Sequence, residues 1–106
     1  MVTKAKGKIS LSGFSLDPAE KAIVDNLIQS YKSKIDEKFD YDEITLRMKK
    51  SQHGNNYLHE IQGKMIAGKM MTAEATDYNL FAAISEVLDK LMNEAEHQQR
   101  TNRQRK

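Results

Sequence analysis

The spacing of apolar residues switches along the chain between a period of two and a period of about 3.6, and each switch marks an element. In Lys8-Ile9-Ser10-Leu11-Ser12 the apolar residues alternate, which predicts a short strand with Ile9 and Leu11 on one face, ended by Gly13. A helix start signal follows. Asp17 is placed as N-cap, Pro18 takes the first helical position, and Glu20 is set to close a capping box, with Leu16 ready to staple onto the first turn. Ile23, Val24, Leu27, Ile28, Tyr31 and Ile35 then recur at helical spacing as one apolar stripe. Phe39 is expected to plug the far end of the core, and Asp40-Tyr41-Asp42 to break the helix.

Period two returns in Ile44, Leu46 and Met48, which alternate with Thr45, Arg47 and Lys49 and predict a half-buried strand with a basic outer face. Ser51 to Asn56 contains Gly54-Asn55, a turn signal. Beyond it Tyr57, His59, Ile61 and Met65 share one face of a third strand. Gly63 lies between the last two, where it would let a helix pass close to the sheet. Ala67-Gly68 turns the chain into a fourth strand, in which Met71, Ala73 and Ala75 alternate. A closing helix follows, capped by Asn79 or Asp77, with Leu80, Ile84, Val87, Leu88, Leu91 and Ala95 on one face and Phe81 and Met92 at its margin.

These elements make an α+β fold of order β-α-β-β-β-α. Each helix has a single apolar face, so both should pack on one face of a four-stranded mixed sheet. The right-handed crossover rule makes the first two strands parallel and leaves the rest as an antiparallel meander. Residues 8–98 are expected to form the ordered domain. Residues 1–7 and 99–106, basic and without apolar periodicity, are expected to be disordered.

At 106 residues the chain suits one domain with a modest core. It has no cysteine, which excludes disulfides, thiolate zinc sites and thiol catalysis, and suits a reducing compartment. No apolar run approaches the ~20 residues of a membrane span, and Ile9 to Leu16 is too interrupted for a signal-peptide core. A cytoplasmic protein is therefore expected. Net charge is only +2, but its distribution is uneven. Residues 43–69 carry five basic groups against two acids, residues 70–97 carry six acids against Lys90 alone, and the last nine residues carry four basic groups and no acid. A local patch of this kind can bind phosphate even when net charge is small.

Catalytic chemistry is not legible. Gly13-Phe14-Ser15 begins like a nucleophile elbow, but Asp17 stands where the second glycine is needed. His53, His59 and His97 have no metal-ligand spacing, and the glycines form no phosphate-cradling loop. The expectation is a binding module: not an enzyme, with no cofactor and no metal. Arg47, Lys49 and Lys50, with Gln52 and His53 at the strand exit, can meet phosphates through long cationic side chains. In the tail Arg100, Arg103, Arg105 and Lys106 are interleaved with amides, which suits RNA backbone binding with little sequence choice.

The run from Lys69 to Leu91 carries a resemblance. Ala73-Glu74-Ala75, then Asn79-Leu80-Phe81-Ala82-Ala83-Ile84, then Asp89-Lys90-Leu91, resemble the corresponding part of the ribosome hibernation promotion family, which includes the ribosome-associated inhibitor proteins. Phe39-Asp40 and the strand Ile44-Thr45-Leu46-Arg47-Met48-Lys49 extend the likeness, so that it covers about Lys8 to Gln98. The resemblance implies the β-α-β-β-β-α fold, binding to ribosomal RNA of the small subunit, steric blocking of the messenger and transfer-RNA sites, and inhibition of translation. It implies a short form that is monomeric away from the ribosome. The residues carried over are Arg47, Lys49 and Lys90. The exposed side of the second helix, with Glu86, Asp89, Glu94 and Glu96, departs from the more basic helix of familiar members.

Two other readings fit the same pattern. The α-β-β-β-α portion has the order of a double-stranded-RNA-binding domain, although Asp77, Asn79 and Leu80 stand where that domain wants basic residues. A protein-interaction adaptor working through an exposed sheet edge or face is the other.

Overall fold

The computed structural model describes residues 7–104, with side chains described through Gln98. The order is β1 (Lys8–Ser12), α1 (Pro18–Lys38), β2 (Glu43–His53), β3 (Asn56–Ala67), β4 (Lys69–Asp77) and α2 (Leu80–Gln104). The four strands form one sheet in the order β1-β2-β3-β4. β1 pairs parallel to β2, from Lys8 opposite Glu43 to Ser12 opposite Arg47. β2–β3 and β3–β4 are antiparallel. This is the expected mixed sheet of an α+β fold.

One face of the sheet forms the core. Ile44, Leu46 and Met48 of β2, Ile61 and Met65 of β3, and Met71 and Ala75 of β4 are buried. Against them α2 sets Leu80, Ala83, Ile84, Val87, Leu88, Leu91 and Ala95. Each large aliphatic residue so enclosed contributes roughly 1.5–3 kcal/mol. The helix comes closest at Gly63: a Cβ there would collide with Val87 Cγ1 and lie 3.1 Å from Leu91 Cδ1 and 3.2 Å from Leu46 Cδ2. A side chain at this rung would have to push the helix away.

Helix α1 starts as its sequence dictates. The Glu20 amide donates to Asp17 Oδ1 (2.8 Å) and the Asp17 amide to Glu20 Oε1 (3.2 Å), a reciprocal capping box behind Pro18. The expected stripe holds for Val24, Ile28 and Ile35, which are buried, and for Leu27 and Tyr31 at the margin. Ile23 is the exception at 49% exposed. The two helices are joined by a hydrogen bond from the Tyr31 hydroxyl to Asp89 Oδ1 (2.9 Å). Burial, and then this carboxylate, raise the Tyr31 pKa, with Ser85 opposing.

Between α1 and β2 the segment 40–42 does more than break the helix. Tyr41 is buried, and its hydroxyl donates to Asp36 Oδ1 (2.8 Å), whose other oxygen is held by Lys32 (2.8 Å). Burial and the adjoining carboxylate together push the Tyr41 phenol well above the usual range.

At its start α2 uses both capping candidates. Asn79 Oδ1 accepts from the Ala82 amide (3.0 Å), and Asp77 Oδ1 accepts from the Asn79 amide (2.8 Å). Its far end runs past residue 98, where the ordered domain is expected to stop, and stays helical through Gln104. The apolar stripe ends at Ala95, but extending an existing helix through Glu, Gln and Arg needs no new nucleation. Lys90 therefore shares its helix with Arg100 and Arg103 rather than standing as its sole cation. Of the expected disordered ends, residues 1–6 and 105–106 lie outside the described residues.

Candidate nucleic-acid interface

Strand alternation distributes the β2 cations. Glu43, Thr45, Arg47, Lys49, Ser51 and His53 point away from the core, while Ile44, Leu46 and Met48 point into it. Among the described residues no element covers the outer face. Its rungs follow from the register: Ser10, Thr45, Lys64 and Thr72 form one row, and Ser12, Arg47, Gln62 and Glu74 the next. These two rows line an open depression of about 700 Å³. It offers hydroxyls, an amide and two cations to a ligand, with Glu74 at its rim.

Acids temper this face. Lys8 lies opposite Glu43 and Lys49 opposite Glu60, so two cations have direct cross-strand counterparts. The Lys64 row contains no acid.

The third β2 cation takes another direction. Lys50 is on the side of Ile44 and Met48, but beyond the helices, and its ammonium sits 5.1 Å from the centre of the Tyr57 ring. From Ser51 opposite Leu58 to His53 opposite Asn56 the β2–β3 ladder has neither β1 nor β4 beside it. This two-stranded tip projects by roughly 10 Å, at about 3.4 Å per rung. The expected turn residues close it: Gly54 has φ 65°, and among the described residues none other than glycine has positive φ, the pattern of a type II′ hairpin. The strands reach the turn itself instead of stopping at Ser51. Tyr57 therefore extends past the core it is expected to join and is 49% exposed.

Lys90 lies on the far side of the sheet's β4 edge. Its ammonium donates to the backbone carbonyl of Glu74 (2.8 Å) and pairs with Glu86 (3.1 Å). Its partner Glu74 ends the row that begins at Ser12 and contains Arg47, with the Arg47 and Glu74 backbones about 10 Å apart at two strand spacings. The structure ties Lys90 to the end of the Arg47 rung.

The tail is elsewhere. α2 runs back along the sheet, and Lys69 Nζ donates to Gln98 Oε1 (3.1 Å) at the end remote from the ribbon. Glu74 and Lys69 are separated by five strand residues, roughly 17 Å. Arg100 and Arg103, on helical backbone beyond Gln98, are not brought to the β2 cations; Arg105 and Lys106 lie outside the described residues.

Lys64, Gln62 and Thr72 are missing from the candidates read in sequence, although the same alternation that selects Arg47 puts them on the outer face. Tyr57 is missing for a different reason: it shares the period of His59, Ile61 and Met65, which reads as a core face, while Tyr78 falls between the fourth strand and the closing helix and belongs to neither pattern. His59 sits at the core edge with Nδ1 3.3 Å from the Asp77 carbonyl oxygen, and among the described residues no three His, Asp or Glu side chains gather to hold a metal. Among the described residues no helix is long and apolar enough to cross a membrane.

No protein-family model matches the chain, and no curated protein matches its sequence. Solved structures do match. A ribosomal subunit interface protein from Coxiella burnetii aligns with a TM-score of 0.58 at 11% identity, over 87% of this chain and 97% of its own. The N-terminal domain of Protein Y from Thermus thermophilus aligns with a TM-score of 0.54 at 25% identity, over 83% of this chain and 93% of its own. At 11% identity the first likeness is one of fold alone. The chain is therefore similar in fold, over most of its length, to a ribosomal subunit interface protein and to the N-terminal domain of Protein Y.

Proposed function

We propose that this protein binds the small ribosomal subunit through ribosomal RNA and inhibits translation by occupying the space of messenger and transfer RNA. It would act in the cytoplasm as a stress-response hibernation factor. The observation that carries this reading is a cation-bearing, uncovered sheet face and ribbon on a fold shared with a ribosomal subunit interface protein. Arg47 and Lys49 grip phosphate from the outer face, and Lys50 does so from the ribbon's other side. Lys90 adds a charge at the end of the Arg47 rung. Arg100, Arg103, Arg105 and Lys106 form a second, remote contact, made by the end of α2 and the residues beyond it. The mechanism is steric and uses no bond chemistry.

Lys90 argues against an adaptor that adds a strand at the β4 edge. Its donation to the Glu74 carbonyl fills a position on the β4 edge that an added strand would need. Purified protein added to a matched cell-free translation system should lower output in proportion to ribosome occupancy and should co-sediment with the small subunit. Full output at saturating protein overturns the proposal.

A further inference from the structure

The ribbon tip carries chemistry that phosphate binding does not use. From Arg47 to His59 the sequence contains three Lys or Arg, two His, three Asn or Gln and no acid. Two tyrosines are exposed at this end: Tyr57, 49%, inside the two-stranded tip, and Tyr78, 55%, just after β4. Each has a basic neighbour at its ring. Lys50 Nζ is 5.1 Å from the Tyr57 centroid, and the His53 ring meets Tyr78 edge-on at 6.5 Å. Neither tyrosine hydroxyl has a partner that would explain the ring's position, in contrast to Tyr31 and Tyr41, whose hydroxyls bind Asp89 and Asp36.

Apolar rings are normally withdrawn from water, and a ring held out on a narrow ribbon loses that contribution. A flat aromatic face beside a cation on an acid-free segment, as at Tyr57 and Lys50, suits one ligand class well: unpaired nucleotides, whose bases stack on the ring while their phosphates meet the cation. A duplex offers no unstacked base to such a ring.

We propose that Tyr57, with Tyr78 as a second contact, is a stacking platform for unpaired RNA bases, and that Lys50 holds the adjoining phosphate. The ribbon then reads RNA as single-stranded through its base faces, while Arg47 and Lys49 supply charge from the outer face. This rests on the RNA-binding reading above and gives it a subsite.

The test uses the full chain with two probes, a short unstructured RNA and an abasic strand of equal length and charge. The intact protein should bind the base-bearing strand at least about tenfold more tightly. Tyr57→Leu, which keeps apolar bulk but removes the ring, should abolish most of the preference, while Tyr57→Phe should keep it. Tenfold corresponds to about 1.4 kcal/mol, within the range of one base–aromatic stack. The salt dependence should be the same for both variants, because no phosphate contact is lost.

Equal affinity of the intact protein for both strands overturns the platform, and so does loss of the preference in Tyr57→Phe. Co-sedimentation with small subunits separates this from the underlying reading. If ribosome binding is intact but insensitive to Tyr57→Leu and base preference is absent, the platform falls and the ribosome reading stands. If base preference is present but ribosomes are not bound, the platform stands and the ribosome reading falls. Weakened ribosome binding in Tyr57→Leu without any base preference assigns the ring to a protein contact and overturns the proposal.

Discussion

Replacing Arg47, Lys49 and Lys50 together by Gln should weaken binding to small ribosomal subunits and, more tellingly, flatten its salt dependence. Each cation that neutralises a phosphate releases counterions, which adds about 0.7 to the slope of log K against log salt for single strands and about 0.9 for duplexes. Three lost contacts lower the slope by about 2–3. Between ~50 and ~200 mM salt the intact protein should then lose roughly 20- to 40-fold more affinity than the variant does. All three residues are exposed, so thermal stability should move by no more than about 0.5 kcal/mol.

The alternation along β2 makes the experiment sharper. Arg47 and Lys49 are on the outer face and Lys50 is on the other, above Tyr57. An RNA lying flat on the outer face can meet only the first two, so Arg47→Gln with Lys49→Gln would account for the whole slope change. An RNA entered by the ribbon tip meets both sides, and Lys50→Gln alone should lower the slope by nearly one. Equilibrium binding of labelled protein to purified small subunits at several KCl concentrations measures each slope. An unchanged slope in the triple variant would refute the assignment of RNA contacts to β2.

Three further outcomes follow from the structure. Gly63→Ala should destabilise the fold by about 1–3 kcal/mol, lowering the melting temperature by several degrees, because the new methyl meets Val87 and Leu91; an unchanged melt would mean α2 can lift from the sheet freely. Tyr41 keeps its proton in the folded state beyond the point, near pH 10, where the unfolded chain releases it. Its contribution is therefore complete below about pH 10 and is lost as pH rises towards the folded value, so Tyr41→Phe should lower stability at neutral pH and soften the alkaline loss seen in pH-dependent melts. Lys90→Glu removes the bond to the Glu74 carbonyl and sets two carboxylates one helical turn apart, at Glu86 and the new residue. It should lower stability by roughly 0.5–1.5 kcal/mol and ribosome affinity by at least about tenfold, and unchanged affinity at low salt would remove Lys90 from the footprint.

Most of the fold was legible because each element announces itself locally. The Asp17-Pro18-Ala19-Glu20 box, the alternation of Ile44, Leu46 and Met48, and the α2 stripe from Leu80 to Ala95 each survive in the structure as burial or as named hydrogen bonds. What escaped depends on how far elements extend relative to one another. Tyr57 has the period of a core residue, but whether a helix lies over it depends on where β4 and α2 begin, which no local pattern states. Ile23 likewise has the period of a core residue and is exposed. Tyr41 was hidden between two aspartates, whose charge suggests a solvated link, while one carboxylate a turn earlier, Asp36, satisfies its hydroxyl inside the fold. The cationic candidates were legible as charge, but not as a surface. Only the fold shows that Lys90 binds the end of the Arg47 rung, that Lys50 faces the other way, and that the tail lies at the opposite end.

That geometry also changes how the acidic second helix bears on RNA binding. Counted by sequence, Glu86, Asp89, Glu94 and Glu96 oppose an RNA partner. In the fold, Glu86 is paired with Lys90, Asp89 accepts from Tyr31 between the helices, and Glu94 accepts from Gln98, so these carboxylates already serve internal contacts. All four ride on the helical layer, which the sheet separates from Arg47 and Lys49. A polyanion approaching the α2 side of the helical layer meets these acids, while one approaching the outer sheet face meets Arg47, Lys49 and Lys64 with hydroxyls and amides, tempered by Glu43, Glu60 and Glu74. The acids therefore set orientation instead of cancelling affinity, since unfavourable charge on one side suppresses binding in the wrong pose. Neutralising Glu94 and Glu96 with Gln should then raise affinity for RNA of any sequence while lowering the difference between ribosomal and nonspecific RNA, a selectivity measured by competition with bulk RNA. Greater affinity with selectivity unchanged would mean that the helical layer plays no part in orientation.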